Sequence, residues 1–178
     1  MQSSLVMTVI GKDRTGLVES VAALIADHGG NWLESRMCRL GGEFAGILRI
    51  HVPKEREQDL VLSLQSLRTQ GLNVFTCPDR EEPGSAQKRF ASLEMVGHDR
   101  PGIILQISAA LARQGVNVEE LESECASAPM SGEMHFKAAA RLRLPESCVI
   151  GELRKELENI AGDLMVDIRF SELGGKQR

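Results

Sequence analysis

The sequence predicts an α+β protein made of two copies of one β-α-β-β-α-β module, each an antiparallel four-stranded sheet with its helices on one face. Three observations predict it. Gly11-Lys12-Asp13-Arg14-Thr15-Gly16-Leu17 returns 86 positions later as Gly97-His98-Asp99-Arg100-Pro101-Gly102-Ile103. The same offset carries Gly29 onto Gly115 and Asn31 onto Asn117. Strand and helix periodicities then follow in the same order on either side of a charged stretch over residues 79–88. Similarity at a fixed spacing marks a duplicated structural unit. At 178 residues the chain accommodates two modules of about 80 residues. Each would bury a modest core, so the modules are expected to lean on each other.

Each element has its own reason. Leu5 to Ile10 is a nearly continuous apolar run, which suits a strand buried over most of its surface. From about Arg14 to His28, Leu17, Val21, Leu24 and Ile25 recur at helical spacing, and Gly29-Gly30 supplies left-handed residues to stop the helix. Asn31 to Arg39 reads as a strand, Gly41-Gly42 as a hairpin turn, and Gly46 to Val52 as a strand in which Leu48, Ile50 and Val52 alternate with Arg49 and His51. Leu60, Val61, Leu64 and Leu67 mark a second helix ending at Gly71, and Leu72 to Cys77 a last strand. The second copy repeats this: a strand from Arg89 to Val96, a helix from about Pro101 to Gln114 with Ile103, Ile104, Ile107 and Leu111 inward, and strands at Asn117 to Cys125 and Glu133 to Leu144. A helix marked by Leu153, Leu157 and Ile160 and a strand from Leu164 to Phe170 complete it. The second hairpin is longer, the extra residues falling within 127–132. The expected boundaries are a first domain over 1–78, a linker over 79–88, a second domain over 89–172 and a flexible tail over 173–178. This order, with helices as crossovers, is the ferredoxin-like arrangement, which leaves one sheet face and the sheet edges to be covered by another module or protomer. A homo-oligomer is expected.

Composition narrows the function. A net charge of −4 disfavours a chain that grips phosphate backbones through clustered Lys and Arg, so direct DNA binding is not expected. No apolar run reaches the roughly 18 to 20 residues of a membrane span, and no signal sequence is recognisable at Met1, which predicts a soluble, cytoplasmic protein. Cys38, Cys77, Cys125 and Cys148 form no C-x-x-C pair and read as free, buried thiols. His28, His51, His98 and His135 lack metal-site spacing, so neither a metal nor another cofactor is expected. No nucleophile elbow, P-loop or H-E-x-x-H motif is present, and the chain is read as non-catalytic.

The duplicated loop carries the functional signal. A strand that enters a glycine-bracketed turn and then a helix leaves backbone N–H groups unpaired at the positive end of the helix dipole, where a carboxylate fits. Gly16 and Gly102 would let a ligand approach the backbone, and Pro101 would preset the first helical turn. Asp13 and Asp99 are placed to receive a ligand ammonium, or to cap the helices with no ligand involved, or both. Arg14 and Arg100 read either as solvated charges or as anion or interface contacts. Asn31 and Asn117 read either as turn residues or as ligand contacts. The candidate amino-acid site is therefore Gly11, Asp13, Arg14, Thr15, Gly16 and Asn31, with Gly97, Asp99, Arg100, Pro101, Gly102 and Asn117 in the second copy.

At these residues the chain resembles the ACT-domain family of small regulatory modules that sense amino acids, over nearly all of Leu5 to Phe170. Two such modules and no third domain look most like the glycine cleavage system transcriptional repressor family. That resemblance implies a regulator that restrains a LysR-type transcription factor according to glycine availability, through protein contact and without a DNA-binding domain, and the small amino acid expected in the site is glycine or serine. The second module also resembles the serine-sensing ACT domain of 3-phosphoglycerate dehydrogenases. The resemblance implies effector contacts at Asp99 and Asn117 across a domain interface. There the residue matching Asp99 is Asn, which donates to a carboxylate, whereas ionised Asp only accepts, so the ligand orientation does not transfer unchanged. Lys12 and Thr15 also differ from His98 and Pro101, so the two sites need not bind equally. Similar segments precede formyltetrahydrofolate deformylase and nucleotidyltransferase catalytic domains, which leaves a detached regulatory module as an alternative, beside a ligand-free interaction scaffold. The Arg49, His51, Arg141 and Arg143 sheet face is a candidate partner surface, or an ordinary solvated one.

Overall fold

The computed structural model describes residues 1–80, 89–127 and 134–173. Most of the expected linker, the lengthened hairpin from 128 onward and the tail from 174 lie outside the described residues. The chain divides into two compact units, Met1–Pro83 and Gly84–Arg178. The first comprises β1 (Gln2–Lys12), α1 (Leu17–Asp27), β2 (Asn31–Leu40), β3 (Glu43–Pro53), α2 (Glu57–Ser66) and β4 (Leu72–Pro78). Its antiparallel sheet runs β2-β3-β1-β4. The second comprises β5 (Arg89–His98), α3 (Ile103–Arg113), β6 (Asn117–Ser127), β7 (Met134–Leu144), α4 (Ile150–Leu164) and β8 (Val166–Leu173), in the matching order β6-β7-β5-β8.

Alternation along the strands sets the layers. Leu5, Met7 and Val9 of β1 and Leu48, Ile50 and Val52 of β3 are buried under Leu17, Val21 and Ile25 of α1 and Leu60 and Leu64 of α2. The second core repeats the plan, with Leu93, Met95 and Leu142 of the sheet under Ile107, Leu111, Leu153 and Leu157 of α3 and α4. Each fully buried Leu contributes about 2 kcal/mol from the water it leaves. The β2–β3 hairpin turns on Gly41 and Gly42, at φ 61° and 87°, the pair of positive angles that a tight two-residue turn requires. A bulge interrupts β2 between Trp32 and Glu34, and another interrupts β6 between Val118 and Glu120, at the same repeat offset.

Several expectations need correction. The helices α1 and α3 begin at Leu17 and Ile103, three and two residues later than periodicity suggested, because a left-handed glycine precedes each. Gly29, not Gly30, is the left-handed residue after α1. Ile104 points outward at 36% exposure, and Ala110 takes the inner place. Leu164 belongs to α4, and β8 starts at Val166. The cysteines are free, but only Cys148 is buried. Cys38 and Cys125 lie on the edge strands β2 and β6, and Cys77 lies on the last strand of its sheet, where little covers them.

Candidate functional site

The loop is built from its first glycine outward. Gly11 ends the buried part of β1 because the head of β4 crosses close to it, and a Cβ there would run into the carbonyl of Gly71. At Gly97 a Cβ would sit 2.6 Å from Val166 Cγ1 and 2.7 Å from its Cα. Both glycines therefore have a packing reason. The chain then leaves the sheet with the Asp13 N–H donating to Gly42 O at 2.9 Å, and the Asp99 N–H to Met134 O at 3.0 Å, so each loop is pinned to the neighbouring hairpin. Gly16 and Gly102 occupy the N-cap positions at φ 89° and 94°, and neither helix has a side-chain cap. The N-cap glycines thus offer no side chain to the first-turn N–H groups at the positive dipole end.

The capping role considered for the aspartates is not what the structure shows. Asp13 and Asp99 sit three residues before the N-caps and reach sideways to the edge strands. Asp13 Oδ2 accepts from Arg39 Nε at 2.5 Å. The Asp99 carboxylate stands close enough to the Cys125 thiol to disfavour its thiolate. Arg39 and Cys125 are equivalents at the same 86-residue offset. Lost hydration, then the Asp99 charge, then the thiol–carboxylate hydrogen bond push the Cys125 thiol above its ordinary pKa. The thiol brings no counter-charge to Asp99, whereas Arg39 brings one to Asp13. Glu19 further places a carboxylate in the first turn of α1, and α3 has no acidic residue there. Neither Arg39 nor Cys125 was read from the sequence as part of the site, although the repeat offset aligns them.

The remaining candidates scatter. Arg14 Nη2 donates to Gln70 Oε1 at 3.3 Å, and Arg100 Nη2 lies 3.8 Å from Met165 Sδ, so each arginine spans to the end of the second crossover of its module. Thr15 is exposed. Pro101 precedes the N-cap and lies outside α3, so its fixed φ shapes the turn before the helix rather than the first turn of it. Asn31 opens β2 opposite His51. Asn117 Nδ2 donates to Glu119 Oε1 at 2.6 Å, and the same oxygen meets Arg143 Nε at 2.8 Å across the bulge. Within one module the two motif halves do not meet. Asn117 begins β6, and the Cys125 that holds Asp99 lies eight residues along it, roughly 25 Å away at strand rise. The same separation divides Asn31 from the Asp13–Arg39 pair.

Among the described residues no group of three or more His, Cys, Asp or Glu could hold a metal ion. No described helix is long and apolar enough to cross a membrane.

Comparison with known proteins agrees with this architecture. A model of the ACT domain matches residues 3–75 and another matches residues 91–136. No curated protein matches the sequence. A crystal structure of an unknown protein from Galdieria sulphuraria is similar at 29% identity and a TM-score of 0.87, covering 97% of this chain and 99% of that one. A structure described as a candidate glycine cleavage system transcriptional repressor shares the fold at a TM-score of 0.70 and 19% identity, covering 98% of this chain and 99% of that one. The two family matches span more than half of the sequence between them and fall one on each compact unit, so the chain belongs to the ACT-domain family, with two ACT domains in tandem.

Proposed function

We propose that the protein is a non-catalytic amino-acid sensor. In this reading glycine or serine places its carboxylate on the first-turn N–H groups of α1 or α3 and its ammonium on Asp13 or Asp99. Asn31 or Asn117 of a neighbouring module completes the site. Gly16 and Gly102 admit the ligand to the backbone, Thr15 and Pro101 shape the turns, and Arg14 and Arg100 brace them. Occupancy changes affinity for a LysR-type transcription factor through protein contact in the cytoplasm, with no DNA bound directly and with the chain in a homo-oligomer. One observation carries this reading. The same uncapped helix start beside a carboxylate is built twice, and its G-x-N partner lies too far along the edge strand to serve the same module. A site shared between modules would make ligand occupancy sensitive to assembly, which is what a regulator needs.

Isothermal titration of the full chain with glycine and with serine, with and without the transcription factor, tests it. Saturable heat is expected, and partner and ligand must alter each other's affinity by one factor. Silence at millimolar concentration in both arms removes the sensing mechanism and leaves the fold intact.

A second reading is favoured by the engagement of both aspartates inside their own modules: an ACT interaction scaffold that needs no ligand. Asp13→Ala and Asp99→Ala, combined in one chain, separate the two. A scaffold keeps its partner regulation in the folded fraction, and a sensor loses its response to the amino acid.

A further inference from the structure

The second module carries a cleft of about 450 Å³ whose lining includes Val96, His98, His135, Gly162, Met165 and Asp167. His98 and His135 are direct cross-strand partners, with ring centroids 5.2 Å apart in an edge-to-face arrangement. Met165 follows α4 and precedes Val166, the β8 partner of Gly97, so it borders β5 on the side away from β7. Arg100 Nη2 lies 3.8 Å from its sulfur.

The duplication supplies an internal control. At the matching places the first module pairs Lys12 with Glu43, and Gly71 precedes the Leu72 that pairs with Gly11. A lysine, a glutamate and a glycine therefore satisfy the fold there. The glycine holds a left-handed C-cap at φ 82°, a conformation that glycine takes without steric cost. Met165 holds the same kind of cap at φ 55°, and among the described residues it is the one non-glycine with a positive φ. It is 58% exposed, so core packing does not account for a strained methionine where the other module relieves the strain.

The lining dictates the chemistry of a ligand. Two imidazole rings and a thioether are polarisable surfaces on which a flat aromatic ring stacks. Stacking uses the ring faces and asks nothing of the imidazole nitrogens. Asp167 is the single acidic residue of the lining, and among the described residues its carboxylate has no hydrogen bond or ion pair. An ionised carboxylate only accepts, and its two oxygens match an edge that presents two adjacent N–H donors. The volume falls within the range of small-molecule pockets and admits a bicyclic ring. We propose that the cleft binds a bicyclic nitrogen heterocycle stacked against His98, His135 and Met165, with a ring N–H and the neighbouring amino group donating to Asp167. Guanine and pterin share that edge. Neither the place nor the ligand class depends on amino-acid sensing at the helix starts.

The full chain has four histidines, His28, His51, His98 and His135, and their imidazole NMR signals report the cleft against an internal background. Guanosine and pterin are titrated as the two sources of the edge, with inosine, which lacks the amino group, and adenosine as controls. The His98 and His135 signals are expected to move saturably while those of His28 and His51 stay. Inosine and adenosine are expected to bind about tenfold more weakly or worse, since each leaves Asp167 short of a donor. Asp167→Asn, which installs the residue that the first module has at Asn73, should weaken the better of guanosine and pterin about tenfold. Met165→Gly, again the residue of the first module, should weaken it about fivefold while raising the thermal midpoint, a pairing that a purely structural methionine would not give. Circular dichroism confirms the fold of both variants. Unmoved His98 and His135 signals at about 1 mM guanosine and pterin overturn the site. Equal binding of inosine and guanosine, or an unchanged affinity in Asp167→Asn, overturns the assignment of the edge to Asp167.

Discussion

Two equivalent positions, Arg39 and Cys125, determine how much charge each aspartate presents. Arg39 holds Asp13 in an exposed ion pair, which contributes at most about 1 kcal/mol to stability, yet it places a cation where a ligand ammonium would sit. Cys125 stands beside Asp99 without a positive charge to offset it. The helix start of the second module is therefore expected to bind the more tightly. Arg39→Cys should raise the amino-acid stoichiometry measured by calorimetry while shifting thermal stability little; an unchanged stoichiometry would mean that charge at Asp13 is not what limits the first module. The same contact governs thiol chemistry. The thiolate is the nucleophile, and because the Cys125 pKa is raised, its reactive limb lies at higher pH than that of an ordinary thiol. Replacing Asp99 with Asn removes the repelling charge, so the pKa falls and more thiolate is present at any given mildly alkaline pH. Alkylation of Cys125 followed by mass spectrometry should then run faster at pH 8 in Asp99→Asn than in the parent protein. Equal rates would show that the aspartate does not control the thiol.

At the scale of elements, the strands and helices were legible wherever burial imposes a period. Leu48, Ile50 and Val52 on β3 and Leu153 and Leu157 on α4 were readable because each sheet has one covered face and each helix one inner stripe. The helix starts were not readable from periodicity, since Leu17 and Ile103 are preceded by glycines whose role is a positive φ rather than a side chain. Nor was the mutual position of Asp99 and Asn117, because pairing register decides that one is held at the end of β6 and the other opens it. The loop as a candidate site was legible through the repeat; its internal partners were not, since a thiol and a guanidinium share no pattern. The two loop glycines now separate by mechanism. Gly102→Ala forces a Cβ into a left-handed N-cap at φ 94°, where it meets only Gln106 Nε2 at an ordinary 3.9 Å, a cost of about 1–2 kcal/mol. Gly97→Ala drives a Cβ against the backbone of Val166 and should cost more, about 2–3 kcal/mol as β8 is pushed from β5. Urea unfolding of the two variants checks the order, and a reversal would mean that β8 yields more easily than the turn.

For the whole molecule the question is whether two domains with separate cores act as one device. The buried cluster of the first unit and that of the second share no residue, and Trp32, the single tryptophan, packs against the first. Fluorescence therefore reports the first domain, while circular dichroism reports both. Leu142→Ala empties a fully buried position of the second core and should cost that domain about 3 kcal/mol. If a ligand-binding seam joins the domains, the Trp32 midpoint in urea must fall with the second domain, because the first loses the partner that stabilises it. Glycine or serine at saturation should then restore part of both midpoints. A Trp32 transition that stays in place while the dichroism transition drops would mean that the domains unfold independently. In that case no amino acid bridging them within one chain could link their occupancy, and the sensing site would have to be shared between chains instead.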